Sequence, residues 1–305
     1  IDGPGPFANQ RNVVENLNEG LAEIQAYKDL GYQQIKLYSS IKPEWVKPMA
    51  DKAHQLGMRV SGHIPAYMTA SQAIDAGYNE IQHMNMLFLN FMSDTIDTRT
   101  PLRFTMVANH GAKLDLSSSA YLTFVKQLKA HQILIDPTLS IFENMFVATK
   151  GKPSPTYEMI VDRLPLMNQR SYYKGGLPKP VDESNRYDLA HERMLDVVYD
   201  LYKKGVAIVP GTDGLPGFLY HRELELFVKA GIPIHEVLKM ATINAAEITG
   251  VAEAYGSIEV GKQADLILIS GNPLERISDI RNVLWTTQGG YLYEAEALYA
   301  SMGIE

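Results

Sequence analysis

Five times along this chain a short apolar run ends near a polar residue and is followed by a helical or loop segment. That alternation restricts the fold more than any other feature. Gln34 to Tyr38 contains Lys36, Met58 to Ser61 leads to His63, and Glu80 to Gln82 leads to His83. His131 to Asp136 leads to Pro137 and Thr138, and Val206 to Val209 runs into Pro210-Gly-Thr-Asp213. Between them lie helical patterns. Val14, Leu17, Leu21 and Ile24 share one face before Gly31, and Trp45, Met49 and Ala53 share another before Gly57. Pro43 and Glu44 suit a first helical turn, and Thr69 with Gln72 has the spacing of a capping box. Repeated strand–helix units call for a parallel sheet with crossover helices. Strands about four residues long, spaced roughly twenty to thirty apart, suit a (β/α)₈ barrel. The fold expected is therefore α/β, with residues 1–254 in the barrel.

Two regions depart from the alternation. Residues 143–187 are rich in Pro, Gly, Lys and Tyr and read as an excursion above the barrel, the kind of insertion that forms lids and binding loops. Regular structure returns with Ala190, Met194, Val197 and Leu201 on one helical face, and a further helix is expected over Leu219 to Ala230. Residues 255–305 read as a small β element. A turn is expected at Gly261, strands over Leu266 to Ile269 and Val283 to Thr287, and another turn at Gly289-Gly290.

Composition excludes several functions. A net charge of -7 without any basic run argues against nucleic acid as a partner. No apolar run is long enough to span a bilayer. With no cysteine, thiolate catalysis, disulfides and zinc–sulfur sites are excluded, and nothing in the sequence names a compartment.

In a barrel of this kind chemistry collects at the C-terminal ends of strands. Lys36, His63, His83 and Asp213 occupy such positions. Imidazole and carboxylate are ordinary zinc ligands, and His63 and His83, from adjacent strand ends, could bind one ion together. Lys36 sits between Ile35 and Leu37, where a free ammonium needs a partner. It reads either as the partner of a carboxylate such as Asp213 or as a carbamate bridging two metals. Asp213 reads as a metal ligand, or as a helix cap or turn residue. Tyr67 and His221 are candidate substrate contacts, and His221 and Glu223 could instead close a helix start. His54 and His110 read as helix-end residues, and His131, His191 and His235 as peripheral. The Met86, Leu87, Phe88, Leu89 and Phe91 run reads as a pocket wall or as core.

The segments Gly31-Tyr-Gln-Gln-Ile-Lys36-Leu-Tyr, Val60-Ser-Gly-His63, Ile81-Gln-His83, Gly211-Thr-Asp213, Ala241-Thr through Gly256 to Gly261-Lys-Gln-Ala-Asp265-Leu, and Gly271-Asn-Pro273-Leu occur in one order. In them the chain resembles the amidohydrolase superfamily, in particular the branch of prolidase-like dipeptidases and imidazolonepropionase-like hydrolases. The resemblance implies strands four to eight of a TIM (β/α)₈ barrel plus the downstream part of a small β-sandwich. It places the first three strands, with a metal-binding His-x-His absent from this sequence, in an upstream segment of the same polypeptide. It makes Lys36 a carboxylated bridging lysine, His63 and His83 ligands of one metal, and Asp213 a ligand that handles the proton. Binuclear zinc is the implied cofactor. Metal-activated water would attack an amide or peptide C–N substrate, dipeptidase-like. The alternatives are an imidazolonepropionase-like cyclic amide or lactone hydrolase, and a non-catalytic binding module or inactive fragment. The expected partners are a small-molecule or dipeptide substrate and the upstream segment, with self-association left open.

Overall fold

Local signals set where the elements begin and end. In the computed structural model, which describes residues 1–6, 12–180 and 185–304, the order is α1 (Leu17–Asp29), β1 (Gln34–Leu37), α2 (Pro43–Gln55), β2 (Arg59–Gly62), α3 (Ala70–Asp75), β3 (Glu80–Gln82), α4 (Met84–Leu89), α5 (Leu102–His110), α6 (Ser119–Ala130), β4 (Leu134–Asp136), α7 (Leu139–Phe146), α8 (Leu166–Tyr172), α9 (Arg186–Lys203), β5 (Ala207–Ile208), α10 (Pro216–Ala230), α11 (Ile234–Met240), α12 (Ile243–Ile248), β6 (Leu266–Ile269), β7 (Val283–Gln288), β8 (Tyr291–Glu294) and α13 (Ala295–Ser301). The Thr69–Gln72 capping box is present at the start of α3, with both reciprocal bonds made. Residues 181–184 of the expected 143–187 excursion lie outside the described residues.

The chain divides into two compact units. The first comprises Ile1–Pro137 and Ser184–Ile208. It holds two parallel sheets, β1-β2 and β3-β4-β5. Asn79 bridges them, its N–H donating to the Val60 carbonyl and its side-chain oxygen accepting from the Val60 N–H. Lys36 pairs in register with Ser61, so the strands carrying Lys36 and preceding His63 run parallel, as expected. The sheets stay separate and unclosed, which makes this an α/β fold of incomplete, barrel-like form. Trp45, Met49 and Ala53 of α2 are buried, as are Ala190, Met194, Val197 and Leu201 of α9. Each large apolar side chain so buried contributes about 1.5–3 kcal/mol.

Two strands are shorter than the apolar pattern predicts, because a preceding helix takes their first donors. Ile133 N–H closes α6 onto Leu128, so β4 begins only at Leu134 and His131 is left as the α6 cap. Val206 N–H likewise bonds to Leu201, and Pro210 has no N–H, so the expected Val206–Val209 strand is reduced to Ala207–Ile208. His191, read as peripheral, is buried on α9.

The second unit comprises Thr138–Glu183 and Val209–Glu305. Tyr157, Ile160, Leu164, Leu219 and Ile304 form one of its apolar clusters. β6, β7 and β8 form an antiparallel sheet in that order. The β7–β8 hairpin turns on Gly289 and Gly290 at φ +57° and +84°, a two-residue geometry that requires positive φ twice. In the same unit, Arg222 donates twice to buried Glu143, at 2.8 and 2.6 Å, and also to Glu225, which accepts from Arg281. Among the described residues, no helix is long and apolar enough to cross a membrane.

Candidate functional site

The site in the first unit grows from the strand ends of β1, β2 and β3. His63 directly follows β2. Its N–H donates to the Leu37 carbonyl at 3.0 Å, and its own carbonyl accepts from the buried Tyr78 hydroxyl at 2.8 Å. The preceding Gly62 is at φ +132°, and a Cβ there would meet the Leu37 carbonyl oxygen at 2.1 Å. Only glycine permits that approach, so Gly62 sets where His63 leaves the sheet. The imidazole is held by two neighbours from the end of β1. The Tyr38 ring stacks on it with centroids 3.9 Å apart, and Ser39 Oγ lies 3.1 Å from Nδ1. In the tautomer whose Nδ1–H donates to that hydroxyl, Nε2 keeps its lone pair for a ligand.

His83 follows β3. Its N–H donates to Asp136 at 2.8 Å, continuing the ladder to β4, and its backbone sits at φ +71°. A non-glycine residue at positive φ stores strain of the kind that concentrates at functional positions. The His63 and His83 rings meet edge to face with centroids 4.6 Å apart, and both side chains are buried.

Burial holds both rings uncharged. The His63 imidazole is pushed well below its ordinary pKa of 6.5, first by desolvation, then by His83, Lys36 and Arg103. His83 is lowered to about 3 by desolvation, Lys36 and Arg103. The metal-binding form of histidine is the neutral ring, so two adjacent neutral imidazoles suit a zinc ion as part of a ligand set. Among the described residues, no group of three or more His, Asp or Glu is gathered to complete one.

These shifts give a pH prediction for metal-chelated protein. The unfolded histidines titrate near 6.5 and the folded ones lower, so unfolding takes up protons in between. The stability attached to this pair is full above about pH 6.5 and is lost as pH falls toward about 3. Urea unfolding followed across that range will show the decline. A variant carrying both His63→Gln and His83→Gln will flatten it, and an unchanged slope in that variant would contradict the burial assigned to the rings.

Lys36 is half-buried, its Nζ 6.0 Å from the centre of the Tyr38 ring. A 480 Å³ cavity is lined by Lys36, Tyr38, Tyr27 and Tyr32, and by neither histidine. Tyr67 is half exposed at φ +65°, and its hydroxyl accepts from Arg99 at 3.1 Å and is also hydrogen-bonded to Asp97. Met86, Leu87 and Phe88 are buried on α4, as core packing requires.

The remaining expected site residues belong to the second unit. Asp213 is exposed at φ +46°. The helix after it, α10, is capped at Leu215 without a side-chain bond, so the helix-cap reading of Asp213 is corrected. His221 lies on α10 beside a 320 Å³ cavity shared with Arg163 and Arg281, and burial and Arg281 lower its pKa to about 4. Glu223 is fully buried and accepts from the Leu139 and Ser140 N–H groups at 2.7 and 2.8 Å. It therefore closes the start of α7 rather than α10.

Sequence reading passed over Ser39, Tyr38, Tyr78 and Arg103. Ser39 and Tyr38 follow Lys36 in the motif, and the parallel register of β1 and β2 was the signal that would have joined them to His63.

A model of the amidohydrolase family matches residues 5–289. The chain belongs to the amidohydrolase family. A 5-methylthioadenosine/S-adenosylhomocysteine deaminase of Teredinibacter turnerae is 39% identical over 87 residues, covering 25% of this chain and 20% of that protein. A probable imidazolonepropionase of Xenopus tropicalis is 34% identical over 82 residues, covering 26% and 19%. A Xaa-Pro dipeptidase crystallised with methionine in its active site aligns with a TM-score of 0.59 at 22% identity, over 96% of this chain and 61% of that one. The last likeness is one of fold. In each case this amidohydrolase-family chain spans less than two thirds of the protein it matches.

Proposed function

We infer that this chain carries part of a hydrolytic site that cleaves the C–N bond of an amide or peptide, dipeptidase-like, with water as the nucleophile. The observation that carries the reading is the pair His63 and His83, two buried, uncharged imidazoles in ring contact at neighbouring strand ends of an amidohydrolase-family chain. These are the residues that would hold zinc, with further ligands drawn from outside the group described above. When bound, zinc supplies a Lewis acid that polarises the scissile carbonyl.

The chain's own residues account for the rest. Tyr38 and Ser39 keep the His63 ring in one orientation, as partners of metal-binding histidines do. Lys36 is assigned by the resemblance to the bridging position in its carboxylated form. Asp213 is assigned the proton: it accepts one from the attacking water and returns it to the leaving nitrogen. A second reading, cyclic amide opening, is supported by the 34% identity to an imidazolonepropionase. It uses the same attack of water on a carbon bonded to nitrogen.

A substrate panel tests the order of these readings. The full-length protein, loaded with zinc, will hydrolyse Xaa-Pro or other dipeptides and N-acyl amino acids faster than cyclic amides or lactones. Activity confined to lactones or cyclic amides reverses the order, and no turnover on any member of the panel removes the hydrolase reading.

A further inference from the structure

Beside the two histidines stands a cation whose charge no described carboxylate balances. Arg103 lies on α5, twenty positions beyond His83, and no strand or motif marks it. One guanidinium nitrogen, Nη1, donates to the Thr98 carbonyl at 3.3 Å and lies 3.5 Å from Ser39 Oγ. That is the same hydroxyl that holds His63. Its Nε is buried and has no acceptor. Among the described residues, no Asp or Glu pairs with Arg103.

A buried N–H donor without an acceptor is costly, and a guanidinium presents its donors as a planar fork matched to two oxygens. The position is built rather than incidental. Asn85, buried on α4 two residues after His83, donates to the Arg103 carbonyl at 3.2 Å. The guanidinium also lies 4.7 Å from the centre of the Phe104 ring. Arg103 and Lys36 both press the two imidazoles toward the neutral state. Among the described residues no carboxylate pairs with Arg103, which leaves a positive field that attracts an anionic ligand.

We propose that Arg103 is a specificity residue that binds a carboxylate of the substrate next to the His63–His83 pair, with Ser39 joining the two. It rests on the hydrolase reading above and narrows it to substrates carrying a free carboxylate close to the scissile amide, as in dipeptides and N-acyl amino acids. The carboxylate oxygens accept from Nε and Nη of the fork. The buried Nε donor, which has no acceptor among the described residues, is thereby satisfied.

Binding separates this proposal from the hydrolase reading. The probes are N-acetyl-L-alanine and its neutral counterpart, N-acetyl-L-alanine amide, titrated calorimetrically into the full-length protein. The acid will bind about 10²-fold more tightly than the amide, since one charge-assisted fork is lost between them. Arg103→Met will lose that preference for the acid and leave the amide's weak affinity unchanged. Arg103→Lys, which keeps the charge without the fork, will recover part of it. In turnover, Arg103→Met will raise KM for N-acetyl-L-alanine with a smaller change in kcat. Equal affinity for acid and amide in the parent overturns the proposal, as does a preference that survives Arg103→Met. Thermal unfolding of each variant shows whether any loss comes from misfolding, and Arg103→Lys then serves as the folded comparison. If the acid is preferred but nothing is hydrolysed, the carboxylate site stands and the hydrolase reading falls.

Discussion

Replacing His63 with alanine in the full-length protein will lower turnover by ~10³-fold or more and reduce bound zinc in parallel. The expectation rests on the number of donors. His63 and His83 are two imidazoles the first unit brings into ring contact, and removing one leaves half of that pair. The milder variant Ser39→Ala keeps the ring and removes the hydroxyl 3.1 Å from Nδ1. Loss of such a partner costs about 10–100-fold in metal affinity or activity, so the two variants form a graded pair. His63→Ala also vacates a buried position stacked on Tyr38, and some loss of stability is expected. Zinc content and turnover are therefore compared at a temperature where both variants are folded. Zinc content and kcat equal to the parent's in His63→Ala would remove the ring from the site.

Much of this arrangement is legible in the sequence because it is local. The capping box at Thr69 needs four consecutive residues, and the turn at Gly289-Gly290 needs two. The strand ends at Lys36, His63 and His83 follow from apolar runs a few residues long. What escaped depends on partners distant in sequence. Ser39 reaches His63 only because β1 and β2 pair in parallel with Lys36 opposite Ser61. Arg103 reaches Ser39 across 64 positions, and Arg222 reaches Glu143 across 79. No periodicity encodes such pairs. Glu223 shows the same limit. Its position near a helix start was visible, but the helix it closes is α7, more than eighty residues earlier. The shortened β4 and β5 have a different cause. Apolar patterning marks which residues are buried, whereas a ladder also needs free N–H groups, and those of Ile133 and Val206 are spent on the preceding helices.

Asp213→Asn will cut turnover by ~10²–10⁴-fold while leaving the fold and the zinc content near those of the parent. The backbone makes asparagine the discriminating choice. Asp213 sits at φ +46°, in the left-handed region, where Asp and Asn are among the few side chains tolerated without large strain. Alanine at this position would add ~1–2 kcal/mol of backbone strain and mix a loop effect with a chemical one. Asparagine keeps the size and the conformational preference, and it removes the basicity. The helix-cap explanation no longer competes, because the residue at the N-cap of α10 is Leu215, not Asp213. A turn role does compete, since Asp213 lies in Gly211-Thr-Asp213-Gly214 and a Cβ at Gly214 would meet Leu219 Cδ1 at 2.2 Å, so this loop is tightly shaped. Asparagine serves a turn as well as aspartate does. A turn residue therefore predicts turnover within a factor of a few of the parent after Asp213→Asn. A proton carrier predicts a large fall in kcat, with loss of the acidic limb of the pH–rate profile that an ionising carboxylate produces. Assay at matched zinc loading separates the two. Near-parental kcat with an unaltered pH profile would leave Asp213 as loop architecture and return the proton to another group.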